Sequence, residues 1–393
     1  MGDSFSKKRA QSLETIVTHS GRHPEQHWGY VNTPVYRGST IVFPTLDALE
    51  STEPRFDYGR TGNPSSAAVE ECISELEGAA GTVLAPSGLS AISLALMTVL
   101  SSGDEVLITD SAYQPTRRVS DGVLARMGIG VRYFDPRASA SLESMITDRT
   151  RAIFVESPGS LTFEIQDLPA IAALAQPRGI AVLVDNSWAS PIFHNPLALG
   201  ADLVIHAGTK MFVGHSDAMF GTVSANAKWF GKLKDTHLRL GLCASPDDCF
   251  LAARGLRTLA LRMKEHGARS TELAGWLEGQ EGVRRVIHPA LPSHPDHQLF
   301  RRDFTGAGSV FSILLDPKPR EALAAMVDGF QLFSMGWSWG GFESLCLPIN
   351  PERVRTAVRW TEPGPMLRIH TGLEGIEDLK ADLSDALKRY GAA

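Results

Sequence analysis

Among the lysines, the chemistry depends on solvation: a desolvated amine is a nucleophile, and one in water is not. Lys7, Lys8, Lys232, Lys234 and Lys388 sit in polar or helical surroundings and read as solvated surface charges. Lys210 differs. It follows the apolar run ADLVIH (201–206) through a turn of small residues, Ala207-Gly208-Thr209. An amine at the mouth of a sheet is partly desolvated, which lowers its pKa and suits it to forming a Schiff base. Taken alone, a strand-end lysine that reaches past its neighbours to water explains the same pattern. Asp185 shifts the balance. It ends the preceding apolar run, IAVLVD (180–185), so its carboxylate falls at the same sheet edge. A carboxylate there can keep a pyridine nitrogen protonated, and the protonated ring is an electron sink for a carbanion. The alternative is a helix-cap or turn aspartate.

The third element suits a phosphate. The run GTVLAP (81–86) leads into Ser87-Gly88-Leu89, and a helical pattern follows. Free N–H groups and the helix dipole at such a turn attract an anion, and a glycine lets the backbone approach it closely. Thr209 can add a hydroxyl. A plain strand-to-helix turn with a serine cap is the alternative; a P-loop is excluded, because no G-K-S/T follows the glycine. Amine, ring carboxylate and phosphate cradle at one edge together describe a site for pyridoxal 5′-phosphate (PLP). Tyr113, just past EVLITD (105–110), can stack on a pyridine or be a half-buried loop tyrosine. Arg368 lies inside PMLRIH (365–370), where a cation is costly without an anionic partner. That partner is either a substrate α-carboxylate held by two hydrogen bonds or a structural salt bridge. The turn SMGWSWGGFES (334–344) suits a pocket wall, with Ser338 as a second donor, or an aromatic-rich core turn.

The elements that must position these residues follow from pattern. Six short apolar runs between residues 81 and 206 alternate with helical stretches such as LSAISLALMTVL (89–100) and LPAIAALAQ (168–176). Continuous apolar strands alternating with helices predict a mostly parallel sheet covered on both faces, with ligands bound beyond the strands' carboxyl ends. A chain of 393 residues exceeds what one core usually spans. The expected division is an N-terminal arm (1–60), an α/β large domain (61–255) and a smaller α+β domain (256–393). The arm is polar and rich in Gly and Pro, so it wraps a neighbour or is loop. The run 247–279 reads as one long helical stretch, followed by strands near 283–288, 308–315 and 365–370 and a closing helix from about Ile376 to Tyr390. The stretch HPALPSHPDH (288–297) reads as a surface loop, since prolines break any zinc-binding helix. The net charge of −6, with both signs interleaved, gives no nucleic-acid face and no polybasic anchor. The four cysteines form no C-x-x-C pair, so no metal is expected, and the lack of an export signal or membrane span points to the cytoplasm.

Several of these residues fall in longer motifs. Tyr58-Gly59-Arg60-Thr61-Gly62-Asn63-Pro64, Ser87-Gly88, Asp185-Asn186 and Thr209-Lys210, then Gly214-His215-Ser216-Asp217, resemble the Cys/Met-metabolism PLP enzymes. The resemblance covers about residues 12 to 390. It implies the fold-type I PLP-dependent transferase fold. Ala207-Gly208-Thr209-Lys210, Ser-Trp-Gly-Gly (338–341), Glu156-Ser157-Pro158-Gly159-Ser160 and Asp303-Phe304-Thr305-Gly306 are most similar to the β-lyase branch, which implies cleavage of L-cystathionine in methionine biosynthesis. By position it makes Lys210 the Schiff-base lysine and proton shuttle, Asp185 the partner of the ring nitrogen and Tyr113 the stacked ring. Gly88, Leu89 and Thr209 then hold the phosphate, joined by Tyr58 and Arg60 from a neighbouring subunit. Ser338, Trp339 and Arg368 then bind the substrate. The implied assembly is a homo-oligomer, at least a dimer and by family habit a tetramer. Two departures, Trp337 in place of tyrosine and the segment Thr236-His237-Leu238, are expected near the distal part of the pocket. A γ-acting relative, a lyase for another cysteine S-conjugate and a non-catalytic binder remain the alternative readings.

Overall fold

A computed structural model describes residues 11–51, 56–137 and 139–392. The larger sheet has seven strands: β1 (Gly81–Ala85), β2 (Glu105–Thr109), β3 (Gly130–Phe134), β4 (Thr150–Glu156), β5 (Ala181–Asp185), β6 (Leu203–His206) and β7 (Gly221–Ala225). Their order is β1-β7-β6-β5-β4-β2-β3. β2 to β6 pair in parallel, and β7 is antiparallel to both of its neighbours. The helix Gly88–Val99 covers one face, packing Ile92, Leu94 and Leu96 near Val106, Phe154, Leu183 and Ile205. The helix Leu168–Ala175 covers the other through Leu168 and Ile171 against Ile153, Val155, Val182 and Val184. Burial on both faces explains why these strands read as unbroken apolar runs.

A second, antiparallel sheet comprises β8 (Val283–Ile287), β9 (Val310–Leu315), β10 (Leu345–Ile349) and β11 (Met366–His370), in the order β10-β11-β9-β8. The helices Leu259–Leu277 and Ile376–Ala392 pack on it through Leu273, Leu277, Leu379, Leu383 and Tyr390. Trp188, Phe300, Phe304, Val310 and Met366 form a further cluster where the two sheets' helices and strands meet.

Three expectations are corrected. β7 and β10 were not anticipated. β7 is Gly-Thr-Val-Ser-Ala, which puts Val223 and Ala225 into the core while the Ser224 hydroxyl pairs with Thr82 of β1 at 2.8 Å, so its apolar run is broken by hydroxyls. β10 contains Pro348, which an edge strand tolerates because, past the bridge from Leu345 to Ser334, no further strand pairs with its outer side among the described residues. The run 247–279 is two helices, Pro246–Leu256 and Leu259–Leu277. At the break, Arg257 donates to the carbonyls of Val17 and Ser20 at 2.8 and 2.9 Å, tying the arm helix Leu13–His19 to the body. The histidine stretch is not a surface loop: His288 and His294 are buried, and His288 lies edge-on to Trp188. Burial pushes the pKa of His288 down to about 3, so it packs as a neutral ring. Beyond its helix the arm is open, with Trp28 90% and Val42 87% exposed.

Candidate active site

The strand order sets β6, β5, β4 and β2 side by side. Residues at or just past their carboxyl ends therefore form a row: Lys210, Asp185, Glu156 and Tyr113. Ser187 links the first two. Its hydroxyl accepts from the Ala207 amide at 2.7 Å and donates to Asp185 Oδ1 at 2.6 Å; the Ser187 amide donates to the same oxygen at 3.0 Å. Burial raises the Asp185 pKa, and the two Ser187 donors work against that rise. Among the described residues no donor reaches Oδ2, which leaves that oxygen for a ring N–H.

Burial pulls the Lys210 amine down to about 7; the Arg368 cation adds to the fall and Asp185 opposes it. Its Nζ lies 2.5 Å from Ser338 Oγ and 5.2 Å from the centre of the Trp339 ring. Both contacts come from the turn before β10, which bends through left-handed Ser338 (φ +79°) and Gly340 (φ +93°). A side chain at Gly340 would start 3.0 Å from the Lys210 carbonyl carbon, so only glycine allows this approach. His370 orients the turn. Burial keeps it neutral, with its pKa pushed down to about 3; Nε2 faces both the Gly340 amide and the Gly341 carbonyl at 3.2 Å, and Nδ1 lies 2.8 Å from Ser309 Oγ.

At the cradle, Ser87 caps the helix Gly88–Val99 by accepting from the Ser90 amide at 3.1 Å. The amides of Gly88 and Leu89, in the first turn, have no partner within the helix. A Cβ on Gly88 would lie 2.6 Å from Ala207 Cβ, so the turn before Lys210 packs directly against the cradle. The Thr209 hydroxyl accepts from the Phe220 amide at 2.8 Å and donates to its carbonyl at 3.1 Å, so in this chain it fixes the entry to β7.

Arg368 sits on β11 and donates from Nη2 to the Ser338 carbonyl at 2.8 Å and weakly to that of Gly336 at 3.4 Å. No carboxylate pairs with it among the described residues, which removes the structural salt bridge. Burial lowers its pKa to about 10, so it remains a cation at neutral pH. The Tyr113 ring is 46% exposed, and burial followed by the Glu156 charge raises its pKa, leaving a neutral phenol. Tyr58 and Arg60 lie elsewhere on the surface: Arg60 stacks on Tyr58 and donates to the Leu238 carbonyl at 3.2 Å. Trp337 is 83% exposed beside Ser338. His237 departs from expectation, because its Nε2 bonds the Leu84 carbonyl at 2.7 Å and it belongs to the packing around β1. Among the described residues no cluster could hold a metal.

Sequence reasoning missed Glu156, His370 and Ser187 as site residues. Glu156 had a readable signal, since it ends RAIFVE as Asp185 ends AVLVD. It also missed the support beneath Tyr113. The Asp110 carboxylate accepts from Arg117 Nη1 (2.9 Å), Arg355 Nε (3.0 Å) and the Thr356 and Val358 amides, and Arg355 reaches on to Glu164 at 2.7 Å. Burial favours the protonated acid at Asp110, but the amides of Val358 and Thr356 outweigh it and hold the pKa at about 2.

A half-neutral lysine, a carboxylate with a free oxygen, a backbone cradle packed against the turn before that lysine and an arginine without a carboxylate partner among the described residues all fit PLP joined to an amino acid. Fold and site thus define a PLP-dependent enzyme of the fold-type I class. The model of the family described as "Cys/Met metabolism PLP-dependent enzyme" matches residues 14–388, and the chain belongs to that family. It is 39% identical to a cystathionine beta-lyase of Bordetella avium, over 98% of this chain and 100% of that one. It is 37% identical to the cystathionine beta-lyase of Salmonella typhimurium, over 96% and 99%. The crystal structure of metB from Corynebacterium glutamicum superimposes with a TM-score of 0.90 at 31% identity, covering 96% of this chain and 98% of that one.

Proposed function

We propose that this enzyme splits L-cystathionine, with water, into homocysteine, pyruvate and ammonia, a step of methionine biosynthesis. The observation that carries the reading is the pairing of Lys210, neutral in part at pH 7, with Arg368, a half-buried cation that has no carboxylate partner among the described residues. Arg368 grips the substrate α-carboxylate, and Ser338 joins it to the lysine: its carbonyl accepts from Arg368 and its Oγ lies 2.5 Å from Lys210 Nζ. When bound, PLP withdraws electrons from the substrate Cα. Asp185 keeps the proton on the ring nitrogen, Tyr113 covers the ring, and the Gly88 and Leu89 amides hold the phosphate, joined by Thr209 once its hydroxyl turns from the Phe220 carbonyl. Lys210 Nζ takes the Cα proton and carries it toward the departing sulfur. Trp339, against Lys210, closes the side of the pocket. Names borne by the relatives support cleavage at Cβ.

Tyr58 and Arg60 complete the phosphate site from a second copy of the chain, in a tetramer of paired dimers. Their exposure supports this, as does that of Trp28 and Val42 on the arm. All four cysteines are unpaired thiols, which supports a cytoplasmic location. No helix among the described residues is long and apolar enough to cross a membrane.

Incubation with L-cystathionine tests the reaction. Pyruvate and homocysteine in equal amounts are expected; 2-oxobutyrate and cysteine would mean cleavage at Cγ and overturn the assignment. The pH dependence follows from Lys210. An amine must be unprotonated to accept a proton, and this one reaches half neutrality near pH 7. Turnover is therefore expected to climb between about pH 6 and pH 8, roughly tenfold per unit on the acid side. A flat profile across that window would remove Lys210 as the base.

A further inference from the structure

The row at the sheet edge contains one titratable side chain that the proposed reaction does not use. Glu156 ends β4, directly beside Asp185 on β5 in the strand register. On its other side lies the loop after β2, and there Glu156 Oε2 accepts from the Tyr113 amide at 2.7 Å. We propose that Glu156 is the positioning residue for Tyr113, setting where the phenol ring stands over the cofactor. This rests on the reading of Tyr113 as the stacked ring.

Three observations support the inference. Tyr113 is the N-cap residue of the helix Gln114–Val119, so its amide has no acceptor within the helix, and Glu156 supplies one from outside. The loop is pinned at three points. Arg355 and Thr356 hold Asp110, the Ser160 amide donates to the Ser111 carbonyl at 2.8 Å, and Glu156 holds Tyr113. Only the third acts on the residue that bears the ring. Finally, an acid at the floor of this cleft beside Asp185 is unfavourable on both counts: burial and the Asp185 charge each penalise its ionised form. An apolar residue there would remove that penalty and lose only the tie to Tyr113.

The test compares Glu156→Leu and Glu156→Gln with wild type in the full-length chain. The first readout is amide hydrogen exchange at Tyr113 in PLP-free protein; the second is the rate of PLP loss from loaded protein. Leucine removes the acceptor and is expected to speed both, on the order of tenfold. Glutamine keeps a carbonyl oxygen in place and is expected to restore both to near wild type. In a Tyr113→Ala background the leucine substitution should no longer change PLP loss, because its effect passes through that ring. If Glu156→Leu does not fold, Glu156→Asp, which keeps the carboxyl group but withdraws the oxygen, must show the same losses. Wild-type exchange at Tyr113 in Glu156→Leu, absent rescue by glutamine, or an undiminished effect in the Tyr113→Ala background overturns the inference alone. Failure of the wild-type chain to take up PLP overturns the reading of the whole site.

Discussion

Lys210→Ala is expected to abolish turnover, by at least roughly 10⁴-fold, the upper range for loss of one positioned base. It should also remove the visible absorbance that PLP acquires when joined to a lysine. The two losses have one cause, since in the proposed reaction the amine that holds the cofactor is also the one that handles the Cα proton. A third readout separates this from damage to the fold. Burial drives the Lys210 pKa down, so the folded chain disfavours the charged amine that the unfolded chain has at neutral pH. Removing it relieves that penalty, and the PLP-free variant is expected to melt no lower than PLP-free wild type. Residual turnover with an intact lysine-type absorbance would mean that another amine carries the cofactor, and the site would have to be redrawn.

Arg368→Met is expected to lower kcat/KM by roughly 30-fold to several thousand-fold, the range for truncating one partner of a buried charge pair. The loss should fall mainly on KM, while the PLP absorbance persists, because the proposed role of Arg368 is to hold the substrate and not the phosphate. Lysine should rescue little: a single ammonium cannot reproduce the planar two-pronged grip on a carboxylate. A second effect has a defined sign. The Arg368 cation helps to depress the Lys210 pKa, so without it Lys210 holds its proton more tightly. The acid limb of the pH profile should move to higher pH. Unchanged KM with an unmoved limb would show that the carboxylate binds elsewhere.

Chain direction and apolar continuity made the parallel half of the larger sheet legible. Asp185 and Lys210 were readable because each terminates a run whose buried faces leave no doubt that it is a strand. The unread parts share a physical reason: their signal lies in contacts between distant segments. β7 is stabilised by hydroxyl pairing with β1, and β10 by an edge position that admits Pro348. His370 looks like any strand histidine until Gly340 is folded against it. Arg355 sits in a loop of unremarkable composition, yet its partners Asp110 and Glu164 come from about 190 to 245 residues away. His288 and His294 were misread because proline-rich composition suggested exposure, whereas the turn folds inward and buries both rings. Tyr58 and Arg60 were legible only through their motif, since nothing within one chain brings them to Lys210.

The carboxylate–guanidinium lattice formed by Asp110, Arg117, Arg355 and Glu164 has a mechanical consequence. The segment joining β10 to β11 is bolted to the loops after β2 and β4 by side chains almost wholly shielded from water. Parting the two sheets there would strand two cations and two anions in a partly dry gap. Such a molecule does not behave as a pair of jaws. In the proposed reaction, selection among thioethers is then expected to rest on the shape of a cleft already braced by these ion pairs, and not on how far a hinge can swing.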